Sequence, residues 1–256
     1  MSRAIFYLFI STSLSFSQYA WGNGSIATSD HLNAFSFNPA GLAVDHGMLE
    51  GVFFKPDIDG KLNENGLIYL ANVNNGFGFQ QVIDKTTKLL KPHTYNSYKI
   101  GFGLNPASNL YMGLSIDSDK AATGGILYRP YKTLSLGSTY QSTTDGDPVS
   151  LGFGFAFRPT SNHKLTLGVD IVDTYNSSSS EWGNLSYKPF FETHPLDGLK
   201  FSISASINDI DNIDSDNIDF NINLGFVVDS FNETFISSLK SPNNENGLTG
   251  FGIIKT

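Results

Sequence analysis

Beyond residue 48 the chain alternates between apolar and polar positions with a period of two, the repeat of strands that turn one face toward an apolar phase. In 199–207, Leu199, Phe201, Ile203, Ala205 and Ile207 are separated by Lys200, Ser202, Ser204 and Ser206. In 217–226, Ile218, Phe220, Ile222, Leu224 and Phe226 alternate with Asn217, Asp219, Asn221, Asn223 and Gly225. Val149, Leu151, Phe153, Phe155 and Phe157 stand against Ser150, Gly152, Gly154 and Ala156, and Leu165, Leu167, Val169 and Ile171 against Thr166, Gly168 and Asp170. Such segments approach the ~9–11 residues a tilted strand needs to cross hydrocarbon, where a soluble strand averages ~5–6. The pattern predicts strands near 48–54, 66–73, 76–83, 96–104, 109–116, 121–129, 132–140, 149–157, 163–172, 182–190, 198–207, 217–227, 233–240 and 248–255. That is about fourteen, with 121–129 and 233–240 the weakest and twelve the fallback; an even number returns the chain to the side it left. The predicted fold is an all-β, antiparallel, up-and-down transmembrane barrel.

A tripeptide punctuates the strands. Tyr128-Arg129-Pro130, Phe157-Arg158-Pro159 and Tyr187-Lys188-Pro189 recur at near-constant spacing, and Asn105-Pro106 opens a similar turn. Proline cannot donate to the ladder, so each triplet is expected to end a strand. The aromatic falls on the apolar face, where it would join an interfacial girdle, and the base is expected to reach headgroup phosphate. With these turns on one side, the other carries Lys55–Asn65, Asp84–Thr94, Asp117–Lys120, Gln141–Pro148, Asp173–Glu181 and Asn208–Asp216, mostly longer and rich in Asp, Asn and Ser. Short turns belong to the periplasm and long loops to the exterior, so both termini are expected in the periplasm.

The first residues differ. Arg3 followed by the apolar stretch 4–16 reads as a secretory signal peptide, with cleavage near Ser17, Ala20 or Gly22. The expected organisation is 1–22 signal peptide, 23–47 periplasmic or hatch segment and 48–256 barrel. Mean hydropathy of −0.13 is low for a helical membrane protein, but a barrel shows lipid only one face of each strand. With no cysteine the chain has no disulfide, thiolate-metal or thiol-nucleophile chemistry. A net charge of −8 leaves no basic stripe for nucleic acid.

Residues 23–43 do not alternate. Asn38-Pro39-Ala40-Gly41 has the order of a helix start, with Asn as N-cap and Pro at the first helical position. Phe37-Asn38-Pro39-Ala40-Gly41-Leu42-Ala43 resembles the NPAGLA segment of the long-chain fatty-acid transporter superfamily of barrels, which includes type IX secretion shuttle barrels. That resemblance implies a fourteen-strand barrel with an N-terminal hatch, and makes Asn38, Pro39, Ala40, Gly41 and Leu42 the hatch or gate candidates. The stretches LYRPYKTLSLG and FRPTSNHKLTLGVD are also similar to the barrel that precedes some bacterial signal peptide peptidase A proteins. The chain departs from the transporters in ending Ile253-Ile254-Lys255-Thr256 rather than on an aromatic, and in being short, with little room for ligand-gathering loops.

Candidate chemistry is sparse. His31, His46, His93, His163 and His194 have no metal-ligand spacing, and no hydrolase, zincin or phosphate-loop motif is present. Asp209, Asp211, Asp214 and Asp216 lack the glycine turn and distal glutamate of a calcium loop and read as a solvated loop. No cofactor, metal or catalytic residue is expected. Lys99, Asp170, Lys200 and Asp219 share parity with Ser and Asn and are expected in a polar lumen, paired with one another. The partners expected are outer-membrane lipid, a hydrophobic or amphipathic small molecule and a periplasmic protein. The leading function is passage or binding of such a solute. A structural anchor or docking barrel for a periplasmic or secreted protein is the second reading, and a soluble exported β protein the third.

Overall fold

The computed structural model describes residues 25–30, 34–44, 48–55, 67–74, 76–84, 97–118, 121–143, 148–161, 164–176, 181–196, 199–207, 218–228, 233–240 and 251–255. The expected signal peptide and the Asp209–Asp216 loop lie outside them. Among the described residues the strands are β1 Met48–Lys55, β2 Leu67–Asn74, β3 Phe77–Asp84, β4 Ser97–Ala107, β5 Leu110–Asp117, β6 Ala122–Tyr131 and β7 Leu134–Ser142. They continue with β8 Pro148–Phe157, β9 Leu165–Asn176, β10 Glu181–Leu196, β11 Leu199–Ile207, β12 Ile218–Val228, β13 Glu233–Lys240 and β14 Phe251–Lys255. Each pairs antiparallel with its chain neighbours, and β1 pairs with β14 from Glu50↔Lys255 to Phe54↔Phe251, so the order returns on itself. The segments near 121–129 and 233–240 are strands β6 and β13.

The alternation sorts the two faces of the wall as it must when side chains point to opposite sides in turn. Outward stand Ile100, Phe102, Leu114, Ile126, Phe153, Phe155, Leu167 and Ile203, all exposed. Inward and buried stand Gln80, Ser115, Ser135, Thr166, Asp170, Ser202 and Ser204. Outward aromatics gather toward both rims: Tyr128, Tyr131 and Phe157 beside the short turns, and Tyr98, Tyr140 and a Tyr175–Trp182 edge-to-face pair at 5.4 Å toward the opposite rim. An apolar belt between two aromatic girdles is the surface of a transmembrane barrel.

Two expectations are corrected. Tyr187-Lys188-Pro189 does not end a strand: β10 runs on to Leu196. Pro189 is tolerated because the ladder with β11 is interrupted between Tyr187 and Phe190, where no N–H is available. The expected loop at Asp173–Glu181 is mostly strand, since β9 reaches Asn176 and β10 begins at Glu181. A bulge between Trp182 and Asn184, with Gly183 at φ +143, keeps Trp182 beside Tyr175.

Candidate functional site

Residues 25–30 and 34–44 fold inside the barrel, in the half nearest the short turns. They comprise a turn over 26–28, a single helical turn α1 (Ala34–Phe37) and a 3-10 helix η1 (Pro39–Ala43). Asn38 caps η1 in the expected way: its Oδ1 accepts from the Ala40 N–H at 3.0 Å. Its Nδ2 donates twice, to the Ile26 carbonyl within the segment and to the Ile126 carbonyl of the β6 wall, both at 2.9 Å. One side chain therefore caps the helix, ties the segment together and fastens it to the barrel. Ser25, Ala27, Ser29, Asn38 and Ala40 are wholly buried.

The wall is shaped to receive this segment. Gly103, Gly113, Gly125, Gly137 and Gly154 occupy five successive strands, β4 to β8, and Gly113 lies directly opposite both Gly103 and Gly125 in the ladder. A Cβ at these positions would overlap Ala43, Pro39, Asn38, Ile26 and Ala27 respectively. At Gly103, Gly113, Gly137 and Gly154 backbone packs on backbone, and at Gly125 the Asn38 side chain does, closeness that only glycine permits. Next to this band, Phe190 lies inward over Gly168, Ala27 and Ala156.

Charge fixes the rest. Asp170 accepts from Ser25 Oγ at 2.7 Å and from the Ile26 N–H at 3.1 Å. Lys188 is its direct cross-strand neighbour, and the Lys188 ammonium lies 4.9 Å from the Phe37 ring centre. On the segment, Asp30 pairs with the Arg129 guanidinium, and Arg158 approaches its other oxygen at 3.9 Å. Arg129 Nε also donates to Ser135 Oγ at 3.2 Å, and Ser135 Oγ donates to the Ala27 carbonyl at 2.6 Å. Burial lowers the pKa of Arg158, with Asp30 opposing the shift; a guanidinium so far from neutral pH stays charged.

The hatch candidates Asn38, Pro39, Ala40, Gly41 and Leu42 thus lie together in the lumen, and Asp170 holds the same segment. Lys99 lies elsewhere, opposite Asp117 in the β4–β5 ladder. The side chains of Lys200 and Asp219 fall outside those described. The expected pairing of the lumenal charges with one another does not hold for Asp170, which is engaged by Ser25 and Ile26 and faces Lys188. Nor do the bases of the recurring tripeptide point to headgroups. Arg129 and Arg158 turn inward to Asp30, and Lys188 turns inward to Phe37. Asp30, Ser135 and the glycine band were not singled out from the sequence; the three bases were, with headgroups rather than the lumenal segment as their target. Strand parity was the available signal, since the residue after an outward aromatic points inward. A hollow of about 560 Å³ over Gly124, Ser138 and Phe153 opens on the outward face and shares Gly113 and Gly125 with the band.

No family profile and no curated protein sequence matches the chain. Solved structures do. The Pseudomonas putida toluene transporter TodX superposes with a TM-score of 0.58 at 9% identity, covering 93% of this chain and 98% of that one. The Acinetobacter baumannii outer membrane protein Omp33 gives 0.54 at 9% identity, over 83% and 99%. A Pseudomonas aeruginosa FadL homologue gives 0.52 at 10% identity, over 95% and 97%. The protein has the fold of outer-membrane β-barrels.

Proposed function

We propose that this protein is an exported outer-membrane barrel, with both termini in the periplasm, that passes or binds a hydrophobic or amphipathic solute under control of its lumenal segment. The observation that carries the reading is the glycine band of β4–β8, filled by a segment held through hydrogen bonds and ion pairs rather than by a ladder. Such a contact can be exchanged without breaking the wall. The apolar belt and aromatic girdles support the membrane location, and the short-turn side supports the orientation of the termini. Likeness to barrels described as a toluene transporter and a FadL homologue is in keeping with an apolar solute.

Deleting residues 23–43 tests this, because no strand is lost. The variant is expected to assemble with heat-modifiable gel mobility and to show higher single-channel conductance or solute leak in bilayers. Parental conductance in an assembled variant would remove the gate. One observation favours a second reading, a structural or docking barrel: most described residues of the segment are buried like a protein core, as a permanent brace would be.

A further inference from the structure

The turn-side mouth carries a cavity of about 580 Å³ lined by Asn109, Tyr111, Arg129, Lys132, Arg158 and Ser161 among others. Three cations border one small cavity in a chain whose formal charge is −8. Their donors are unequally used. Arg129 spends Nε on Ser135 and a terminal nitrogen on Asp30, and its guanidinium lies 6.0 Å from the Tyr111 ring centre. Arg158 has 11% of its side chain exposed, yet among the described residues its ion contact is Asp30 at 3.9 Å, too long for a hydrogen bond. Its Nε is buried with no hydrogen-bond partner among the described residues. A buried donor without an acceptor is costly, and guanidinium groups satisfy their donors best on a planar oxyanion taken in a fork. Asp30 is at hydrogen-bond distance from Arg129 and not from Arg158. Glu192 also attracts Arg158 and lies 3.4 Å from His194.

We propose that this cavity is a binding site for an anionic group, a carboxylate or a phosphate, with Arg158 as its principal donor, Arg129 and Lys132 as supporting charges, and Asp30 as a built-in competitor. The anion arrives either as a free ion or as the headgroup of an amphipath. The site is independent of whether the barrel conducts, because binding here is legible in a closed barrel as well. Occupancy would draw Arg129 away from Asp30, loosening one of the ties on residues 25–44.

The test is equilibrium titration of the full-length protein in non-ionic detergent with sodium phosphate, acetate and octanoate at constant ionic strength, read by intrinsic tyrosine fluorescence. Saturable binding of at least one anion is expected. Arg158→Gln should weaken it at least tenfold. Arg158→Lys, which keeps the charge but loses the fork, should weaken it severalfold and guards against failure of the first variant to assemble. Asp30→Asn, by removing the competitor, should tighten binding about tenfold. Octanoate binding tenfold tighter than acetate identifies an amphipath headgroup; phosphate binding with no difference between the two carboxylates identifies a free anion. No saturable binding, or equal affinity in parent, Arg158→Lys and Asp30→Asn, overturns the proposal. Conductance of the 23–43 deletion is measured separately, so failure here leaves the passage reading standing.

Discussion

Gly113 and Gly124 sit on adjacent strands of the same wall, and their surroundings are opposite. A methyl group on Gly113 would overlap the Pro39 carbonyl, whereas one on Gly124 meets open space. Valine suits a strand better than glycine does, so neither substitution should weaken the wall itself. Gly113→Val is therefore expected to assemble normally but to expel η1 and raise conductance toward that of the 23–43 deletion. Gly124→Val should leave conductance unchanged. Equal conductance in both variants would mean that the band does not seat the segment. The sequence shows Gly113 only as a small residue at lumen parity, and Gly124 at the parity of the outward Ile126 and Tyr128. The partner of Gly113 lies far off in the chain, as the Asn38 side chain and the Ile126 carbonyl do from each other, and no local periodicity reports such contacts. Arg129, Arg158 and Lys188 were closer to legible. Read strictly, alternation sends each of them inward once the preceding aromatic faces out; the expectation of headgroup contact let interfacial chemistry override parity.

At the scale of elements, alternation decides facing and proline is a poor guide to where a strand ends. Within β11, Ile203 is outward and Ser204 is inward and buried. Ile203→Arg is expected to cost assembly about 2–4 kcal/mol, the penalty of a base at mid-bilayer on the lipid face. Ser204→Arg enters a polar lumen and should cost less, provided the longer side chain finds room. Refolding into vesicles across a urea series measures both, and matched losses would contradict the assignment of faces. The strand set was largely legible in the sequence because each strand carries its own periodic signal. The extent of β10 was not. Its sixteen residues hold two register shifts and two prolines, Pro189 and Pro195, and these are accommodated by what the neighbouring strands leave unpaired, a property of the ladder rather than of the segment.

For the molecule as a whole, the wall and the segment it encloses belong to one chain, with only four residues between Ala43 of η1 and Met48 of β1. That short leash changes the arithmetic of release. A displaced segment cannot diffuse away, and its return is an intramolecular event governed by an effective concentration of roughly millimolar or above. Individual ties can then be weak and the seat still occupied almost all the time. A synthetic peptide of residues 23–43, offered to the deletion barrel at micromolar concentration, should accordingly fail to restore the parental conductance. Full restoration at that concentration would mean an affinity so high that the covalent leash is superfluous. Otherwise opening is brief and self-resetting, since proximity alone reseats the segment without any stored strain or outside energy.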